Sequence, residues 1–367
     1  MKQFNTIQLL VCLCLFVGFQ TNAQINTPSV SQKAKVSQRV GVSNITIKYS
    51  RPSVNGRDVW GSLVPYGMNN LGFGTSTAAP WRAGADENTT ITFSHDAKVE
   101  GKPIKAGTYG LHIEVKQDNK ATLILSYDTD SWGSFFYEQS KDALRADIIT
   151  TTVPHHELLT YEFNEVLANS ATATLAWEKK GFPFTVSFDV TNIVLDDWRQ
   201  KAKGQPGFQR QNWEQAANFA LNNGGDLNEA LGWIDNAVAG QFFSQKTFNN
   251  LQIKAQILNK LGKADEATAA MDEALQLATI FQVHQYGRTL ITNGEADRAF
   301  EVFSLNVEKN KDQWPVHYGM ARAYSAKGDY KAALKHLRKS LENAPNDASK
   351  DRVQANIDKL EKNEDIN

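Results

Sequence analysis

Gln200 to Phe208 reads QKAKGQPGF, a run with the Lys, Gly and Pro composition of a linker, and the periodicity of the chain changes across it. Before it, apolar residues alternate with polar ones; after it, they recur at helical spacing. The stretch predicts two domains in 367 residues, each long enough to bury its own core.

On the C-terminal side a unit repeats: a helix, a glycine, then a second helix with an alanine about five residues after the glycine. It recurs as Gly225…Ala230…Ile234…Ala237, Gly262…Ala267…Met271…Ala274, Gly294…Ala299…Phe303 and Gly328…Ala333…Leu337. The glycines stand 37, 32 and 34 residues apart. A period near 34 with small residues where paired helices touch is the tetratricopeptide arrangement. Tyr324, Gly328, Tyr330, Ala333, Leu337 and Pro345 of the last unit all occupy tetratricopeptide positions. Asp347 to Lys362 is polar outside and apolar at Val353, Ile357 and Leu360, which predicts a capping helix. One helix pair cannot cover its own apolar face, so stacked neighbours bury a continuous core and leave a concave surface suited to a protein partner. The alternatives are that the repeats dock on the first domain or pair two copies of the chain.

On the N-terminal side, alternation runs through Ile45–Tyr49, Thr90–Ser94, Tyr109–Val115, Thr172–Trp177 and Phe184–Val190. Thr122 to Tyr127 (TLILSY) has an unbroken apolar centre, as a strand buried on both faces does. With turn signals at Asn55-Gly56 and Glu100-Gly101-Lys102-Pro103, these strands predict an antiparallel β-sandwich. Gly67 to Pro80 (GMNNLGFGTSTAAP) reads as a long exposed loop. The expected boundaries are a signal peptide at 1–23, the sandwich at 29–197, a linker at 198–208, the repeats at 209–346, and a cap with tail at 347–367.

The leader reading rests on Lys2, the apolar run from Ile7 to Phe19, and small residues at Thr21 and Ala23 before Gln24. The apolar run is shorter than the roughly 20 residues a bilayer span requires, so no transmembrane segment is expected after cleavage. Both cysteines, Cys12 and Cys14, lie inside the leader, and the exported protein would have neither disulfide nor thiolate. The expected location is periplasmic or secreted. With 39 Lys and Arg against 40 Asp and Glu, the chain lacks the basic excess of a general nucleic-acid binder.

The first half resembles a known family, the bacterial DUF2911 domain of exported proteins. The resemblance is carried by Tyr49-Ser50-Arg51-Pro52-Ser53-Val54-Asn55-Gly56-Arg57, Val59-Trp60-Gly61-Ser62-Leu63-Val64-Pro65-Tyr66-Gly67 and Trp81-Arg82-Ala83-Gly84-Ala85-Asp86-Glu87. Ile91-Thr92-Phe93-Ser94, Ala106-Gly107-Thr108-Tyr109, Trp132-Gly133 and Lys141-Asp142-Ala143-Leu144-Arg145 follow in order. It spans roughly Ser31 to Val194. The family is named for having no established activity, so the resemblance implies fold and export more than function. One departure stands out: the family usually passes from Pro-Tyr-Gly to Trp-Arg within a residue or two, whereas here Met68 to Pro80 intervenes. If that turn borders a site, the inserted loop would alter or cover it.

Arg51, Arg57, Trp60, Tyr66, Trp81 and Arg82 form the candidate ligand-binding set. All lie in irregular segments, and planar aromatics with guanidinium forks suit sugars, carboxylates or anionic glycans. The competing reading makes the tryptophans plugs at the end of the sandwich and the arginines ties between loops. Among seven histidines, His112 and Glu114 share a strand face and His95 ends a strand, a conceivable metal trio, although exposed strand faces commonly carry His and Glu anyway. His155 and His156 point to opposite sides of an extended chain. Asp128-Thr129-Asp130 lacks the remaining ligands of a calcium loop and reads as a turn. No nucleophile elbow, zinc-protease helix, dinucleotide fingerprint or P-loop is present, so no catalytic residue, metal or cofactor is assigned. The expected function is a binding or scaffolding protein of the cell envelope, its solenoid on a protein partner and its sandwich on a small polar or glycan ligand. A carbohydrate-acting hydrolase with a site near Arg82, and structural self-association, are the alternatives.

Overall fold

In the computed structural model, which describes residues 27–311 and 313–367, strands run up to Phe188 and helices follow from Val190. The expected signal peptide lies outside the described residues. The chain divides into two compact units between Val190 and Thr191.

The first unit is built from β1 (Gln32–Val40), β2 (Ser43–Arg51), β3 (Thr90–Phe93), β4 (Ala97–Val99), β5 (Lys102–Ile104), β6 (Gly107–Val115), β7 (Lys120–Ser126), β8 (Asp142–Ile149), β9 (Thr151–Val166) and β10 (Ser170–Phe188). They form a six-stranded sheet in the order β1-β2-β3-β6-β7-β8 and a four-stranded sheet in the order β5-β4-β10-β9. Every neighbouring pair is antiparallel, as a sandwich requires. Ile45, Ile47, Ile91, Leu111 and Leu123 of the larger sheet are fully buried, as are Trp177, Phe182 and Phe184 of β10. The TLILSY run, apart from the exposed Tyr127, lies in β7, which is buried along nearly its whole length between β6 and β8. Asn55-Gly56 and Glu100-Gly101 both take consecutive positive φ values (47° and 68°, 49° and 76°), the backbone of a tight turn that glycine at the second position eases.

One correction concerns the end of this unit. Thr172–Trp177 and Phe184–Val190 are not separate strands: a single 19-residue strand, β10, contains the first and runs through Phe188 of the second, whose last residue, Val190, already begins a helix. Register shifts around Glu178, whose φ is +53°, bulge the strand there and interrupt the alternation that made it look divided.

A second correction concerns the linker. The sandwich ends at Phe188 rather than near 197, and most of the expected linker is ordered helix: α1 (Val190–Lys201) is followed by a 3-10 turn at Gln205–Phe208. Leu195 and Trp198 of α1 are buried against Ala216, Ala220 and Trp233, while its Lys, Arg and Gln residues form the polar face. Linker-like composition there was a solvated helix surface.

After α1 come α2 (Arg210–Asn223), α3 (Leu227–Val238), α4 (Phe248–Lys260), α5 (Ala264–Leu277), α6 (Ile280–Thr292), α7 (Ala296–Lys309), α8 (Trp314–Ala326), α9 (Tyr330–Glu342) and α10 (Asp347–Glu361). These are the four pairs α2/α3, α4/α5, α6/α7 and α8/α9 with a final helix. Ala230, Ala267, Ala299 and Ala333 are all buried to 2% exposure or less, so the small residue of each unit sits where its paired helix presses closest. Left-handed glycines end the first helix of each pair, but in the first pair this is Gly224 (φ +75°) rather than Gly225. Gly225 is needed for closeness instead: a Cβ there would lie 2.8 Å from Leu195 Cδ1 and from Ala220 Cβ. Phe303 fills the space between α6 and α8, where Gly287 and Gly319 admit its ring: an added Cβ on either would lie 2.4 Å from it. Thr247 and Thr279 close capping boxes at the starts of α4 and α6, each worth about 1 kcal/mol. Val353, Ile357 and Leu360 of α10 are buried, as a cap's inner face should be, and Arg322 Nη1 donates to Ile366 O at 2.9 Å to hold the tail. Among the described residues no helix is long and apolar enough to cross a membrane.

Candidate functional site

The loops after β2 and before β3, with the segment between β7 and β8, enclose a cavity of about 360 Å³ at one end of the first unit. Arg57, Trp81 and Arg82 of the expected set line it. Trp81 is fixed in place by the backbone: its N–H donates to Ile113 O at 3.0 Å, and Ile113 N–H donates to Trp81 O at 2.8 Å. From there the chain turns through Ala83 and Asp86, non-glycine residues with φ of +49° and +58°. That left-handed backbone is unfavourable for L-residues and is held by its surroundings, since Ala83 O accepts from both Thr89 Oγ1 (3.2 Å) and Tyr161 Oη (2.9 Å). Within this turn Arg82 Nη1 donates to Asp86 O at 2.6 Å, and its guanidinium stands 4.9 Å from the centre of the Phe135 ring. Gly133 makes room for it, because a Cβ there would lie 2.1 Å from Arg82 Cζ. Burial lowers the Arg82 pKa, opposed by the nearby Asp86 carboxylate.

The other members of the set are elsewhere. Arg51 ties β2 to β9 by donating from Nε to Leu159 O (2.8 Å) and from Nη2 to Thr160 Oγ1 (2.6 Å). Trp60 stands behind the cavity wall, edge-on to Trp81 (5.7 Å) and Trp177 (5.9 Å). The Tyr66 ring packs over Gly61, whose positive φ of 89° and missing Cβ leave space for it. Framework and cavity readings therefore divide the set between them: Arg51, Trp60 and Tyr66 brace, whereas Arg57, Trp81 and Arg82 face the opening.

Residues from distant segments complete the lining. Trp177, read from sequence only as part of a strand, is 1% exposed, lines the cavity, and has no hydrogen-bond partner for its indole nitrogen among the described residues. Ser134 lines it too, and its Oγ meets His112 Nδ1 at 2.9 Å. Burial pushes His112 down to about 4, against the pull of Asp128 and with the help of the Arg82 charge, so the imidazole is neutral at physiological pH. Nothing local in the sequence marked Ser134, since its partner is 22 residues away on β6. The inserted loop contributes Asn69, Leu71, Ala79 and Pro80 to the wall, so it shapes the cavity as its position between Pro-Tyr-Gly and Trp-Arg suggested.

The conceivable metal trio does not converge. His112 is engaged with Ser134, Glu114 accepts from Arg145 Nη2 at 3.1 Å, and His95 Nδ1 is 3.1 Å from Ser43 Oγ. Among the described residues no group of three or more His, Cys, Asp or Glu is placed to hold a metal ion. Asp128 forms a turn, accepting from Ser131 N at 3.3 Å and Oγ at 2.6 Å.

In the second unit, Gln252, Gln256 and Asn259 of α4 face Tyr286 and Thr289 of α6 and its C-cap Asn293 across a groove of about 520 Å³. Its cation, Arg298, is already paired with Asp272 and with Glu301 at 2.7 Å, which leaves amides, hydroxyls and the Glu295 carboxylate as the polar lining.

Comparison with known proteins agrees with this division. Residues 31–186 match the family described as a protein of unknown function (DUF2911), and residues 290–357 match a tetratricopeptide repeat family. The chain thus carries a DUF2911 domain followed by a tetratricopeptide region, and such repeats point to protein–protein interaction. No curated protein matches it. Solved structures similar to it include YrrB, described as a tetratricopeptide protein with an unusual peptide-binding site, at 17% identity over 45% of this chain and 84% of that one (TM-score 0.29). Another is the C-terminal part of a repeat protein from Cytophaga hutchinsonii, at 16% identity over 47% and 67% (TM-score 0.34). A third, from Parabacteroides merdae, shares 16% identity over 48% and 74% (TM-score 0.30).

Proposed function

We propose that this chain is an exported cell-envelope protein that binds rather than catalyses, its helix pairs engaging a protein partner and its first-unit cavity holding a small polar ligand. The observation that carries the partner reading is the groove between α4 and α6. Side-chain amides both donate and accept, so a row of them suits the main chain of an extended segment, and with Arg298 internally paired the Glu295 carboxylate is the remaining charge of the lining, which disfavours an acidic segment. Asp86 is the one carboxylate lining the first-unit cavity among the described residues, whereas two-carboxylate glycoside hydrolysis needs a second. That supports binding over hydrolysis.

Export is inferred from Lys2, the apolar Ile7–Phe19 run and the small residues before Gln24. N-terminal sequencing of protein recovered from the envelope fraction should begin at Gln24. The partner reading is tested by crosslinking the full chain in cells. Asn259→Ala with Asn293→Ala should abolish the crosslinked heterologous band without changing the melting temperature. A band that persists in the double variant, or crosslinks only between copies of this chain, would contradict it.

A further inference from the structure

We propose that the first-unit cavity takes a small organic carboxylate, its charged end on Arg82 and its flat or ring-like body against Trp81. The proposal rests on the reading of that cavity as a ligand site and adds the ligand's charge and shape.

Arg82 is half-buried, and its single hydrogen bond runs to a main-chain carbonyl, Asp86 O. No carboxylate stands within ion-pair distance of it among the described residues. Arg145, also half-buried in this unit, instead meets both Glu114 (3.1 Å) and Asp142 (3.0 Å). A cation withdrawn from water with no carboxylate paired to it, Asp86 acting only from beyond ion-pair distance, is unfavourable, and an incoming carboxylate would relieve that through two parallel N–H···O bonds. The guanidinium is held in place by packing over Phe135 and in the space left by Gly133.

The charge count sets the ligand's valence. Arg57 and Arg82 against Asp86 leave the lining with a net charge of about +1. Asp86 accepts from Ser29 Oγ at 2.7 Å rather than pairing with Arg82, and it would repel a second negative charge. A monoanion fits this balance better than a phosphate dianion. Beside the charged end, the partly exposed Trp81 presents apolar wall, backed by the nearly parallel (17°) and buried Trp177, which suits an aromatic ring or the CH face of a sugar. The indole nitrogen of Trp177 and the Ser134 hydroxyl are polar groups near that wall.

The test uses the full chain, with calorimetry and tryptophan fluorescence, on two matched pairs: benzoate with benzamide, and glucuronate with glucose. The carboxylate of at least one pair should bind at least about tenfold more tightly than its neutral partner, and which pair responds separates an aromatic acid from an acidic sugar. Arg82→Gln should remove that preference. Asp86→Asn should strengthen carboxylate binding by about threefold or more, a gain that misfolding cannot produce. If the neutral partner binds as tightly as the acid, or if Arg82→Gln keeps the preference, the carboxylate assignment is overturned while the cavity remains a ligand site. If none of the four probes binds or alters the fluorescence, the ligand reading itself fails and takes this one with it.

Discussion

The cavity end of the sandwich and the stacked helix pairs solve different problems with the same residue types. In the helical unit each glycine and alanine recurs: Gly262, Gly294 and Gly328 end first helices, and Ala267, Ala299 and Ala333 sit at the contact with the next. Nothing lies within 4 Å of a Cβ added at any of those three glycines, so each serves backbone conformation alone. At the cavity, Gly133 serves two ends at once, a φ of +66° and space for the Arg82 guanidinium. Repetition uses glycine for shape; the cavity uses it to seat a particular side chain.

Removing the largest buried groups should have the largest effect and should show whether the units melt separately. Trp177→Ala and Phe303→Ala should each cost about 3–5 kcal/mol, because both rings are fully enclosed. Each should lower one transition in calorimetry and leave the other in place; a single merged transition shifted equally by both would break the comparison.

Acid should weaken both units, by burial of neutral imidazoles. His112 is held down to about 4 by burial; so are His284, with Arg322 and Arg288 adding repulsion, and His336, with His317 and two lysines adding theirs. A folded-state pKa below the unfolded value of about 6.5 means the unfolded chain binds the proton first. The stabilisation is therefore whole above about 6.5 and is lost as pH falls toward 4, by up to about 3 kcal/mol for the fully buried His112. His112→Gln should flatten the pH dependence of the first unit's denaturant midpoint between those values and leave that of the second unit as it was.

The glycine contrast gives a smaller effect. Gly328→Ala should cost about 1 kcal/mol for its left-handed backbone alone. Gly133→Ala should cost more, about 2–3 kcal/mol, because the guanidinium must also move. Urea midpoints of equal size would show that Arg82 yields at no cost.

Legibility followed repetition and burial. The interior strands β2, β3, β6 and β7 have clean alternation or an apolar run, because both neighbours and one or both faces constrain them. The strands that the pattern did not reveal include β1, β8, β5 and β9, which are the four sheet edges. Gln32–Val40 (QKAKVSQRV) is mostly exposed, and such polar edges discourage pairing with other chains while erasing the alternation signal. The helical pairs were legible because one spacing error is corrected by three other copies, although α1 was hidden by its Lys- and Gln-rich outer face. At the cavity, the motif residues Trp81 and Arg82 were visible. Their partners Trp177, Ser134 and Phe135 come from segments tens of residues away, and only the closed fold brings Trp177 and Ser134 into the lining and Phe135 against the Arg82 guanidinium. Arg51 and Arg82 looked alike in sequence for the same reason: what separates them is the presence or absence of β9 carbonyl and hydroxyl partners.

The division between bracing and open arginines is most directly measured by thermal melting of Arg51→Gln beside Arg82→Gln. Arg51→Gln should lower the first unit's stability by about 1–3 kcal/mol through loss of its two ties to β9. Arg82→Gln should change it by less than about 1 kcal/mol, since the loss of one bond to Asp86 O and of the contact over Phe135 is offset by removing a half-buried charge that has no paired carboxylate. An Arg82 variant that melts as early as the Arg51 variant would make Arg82 part of the framework and leave the cavity without its binding group.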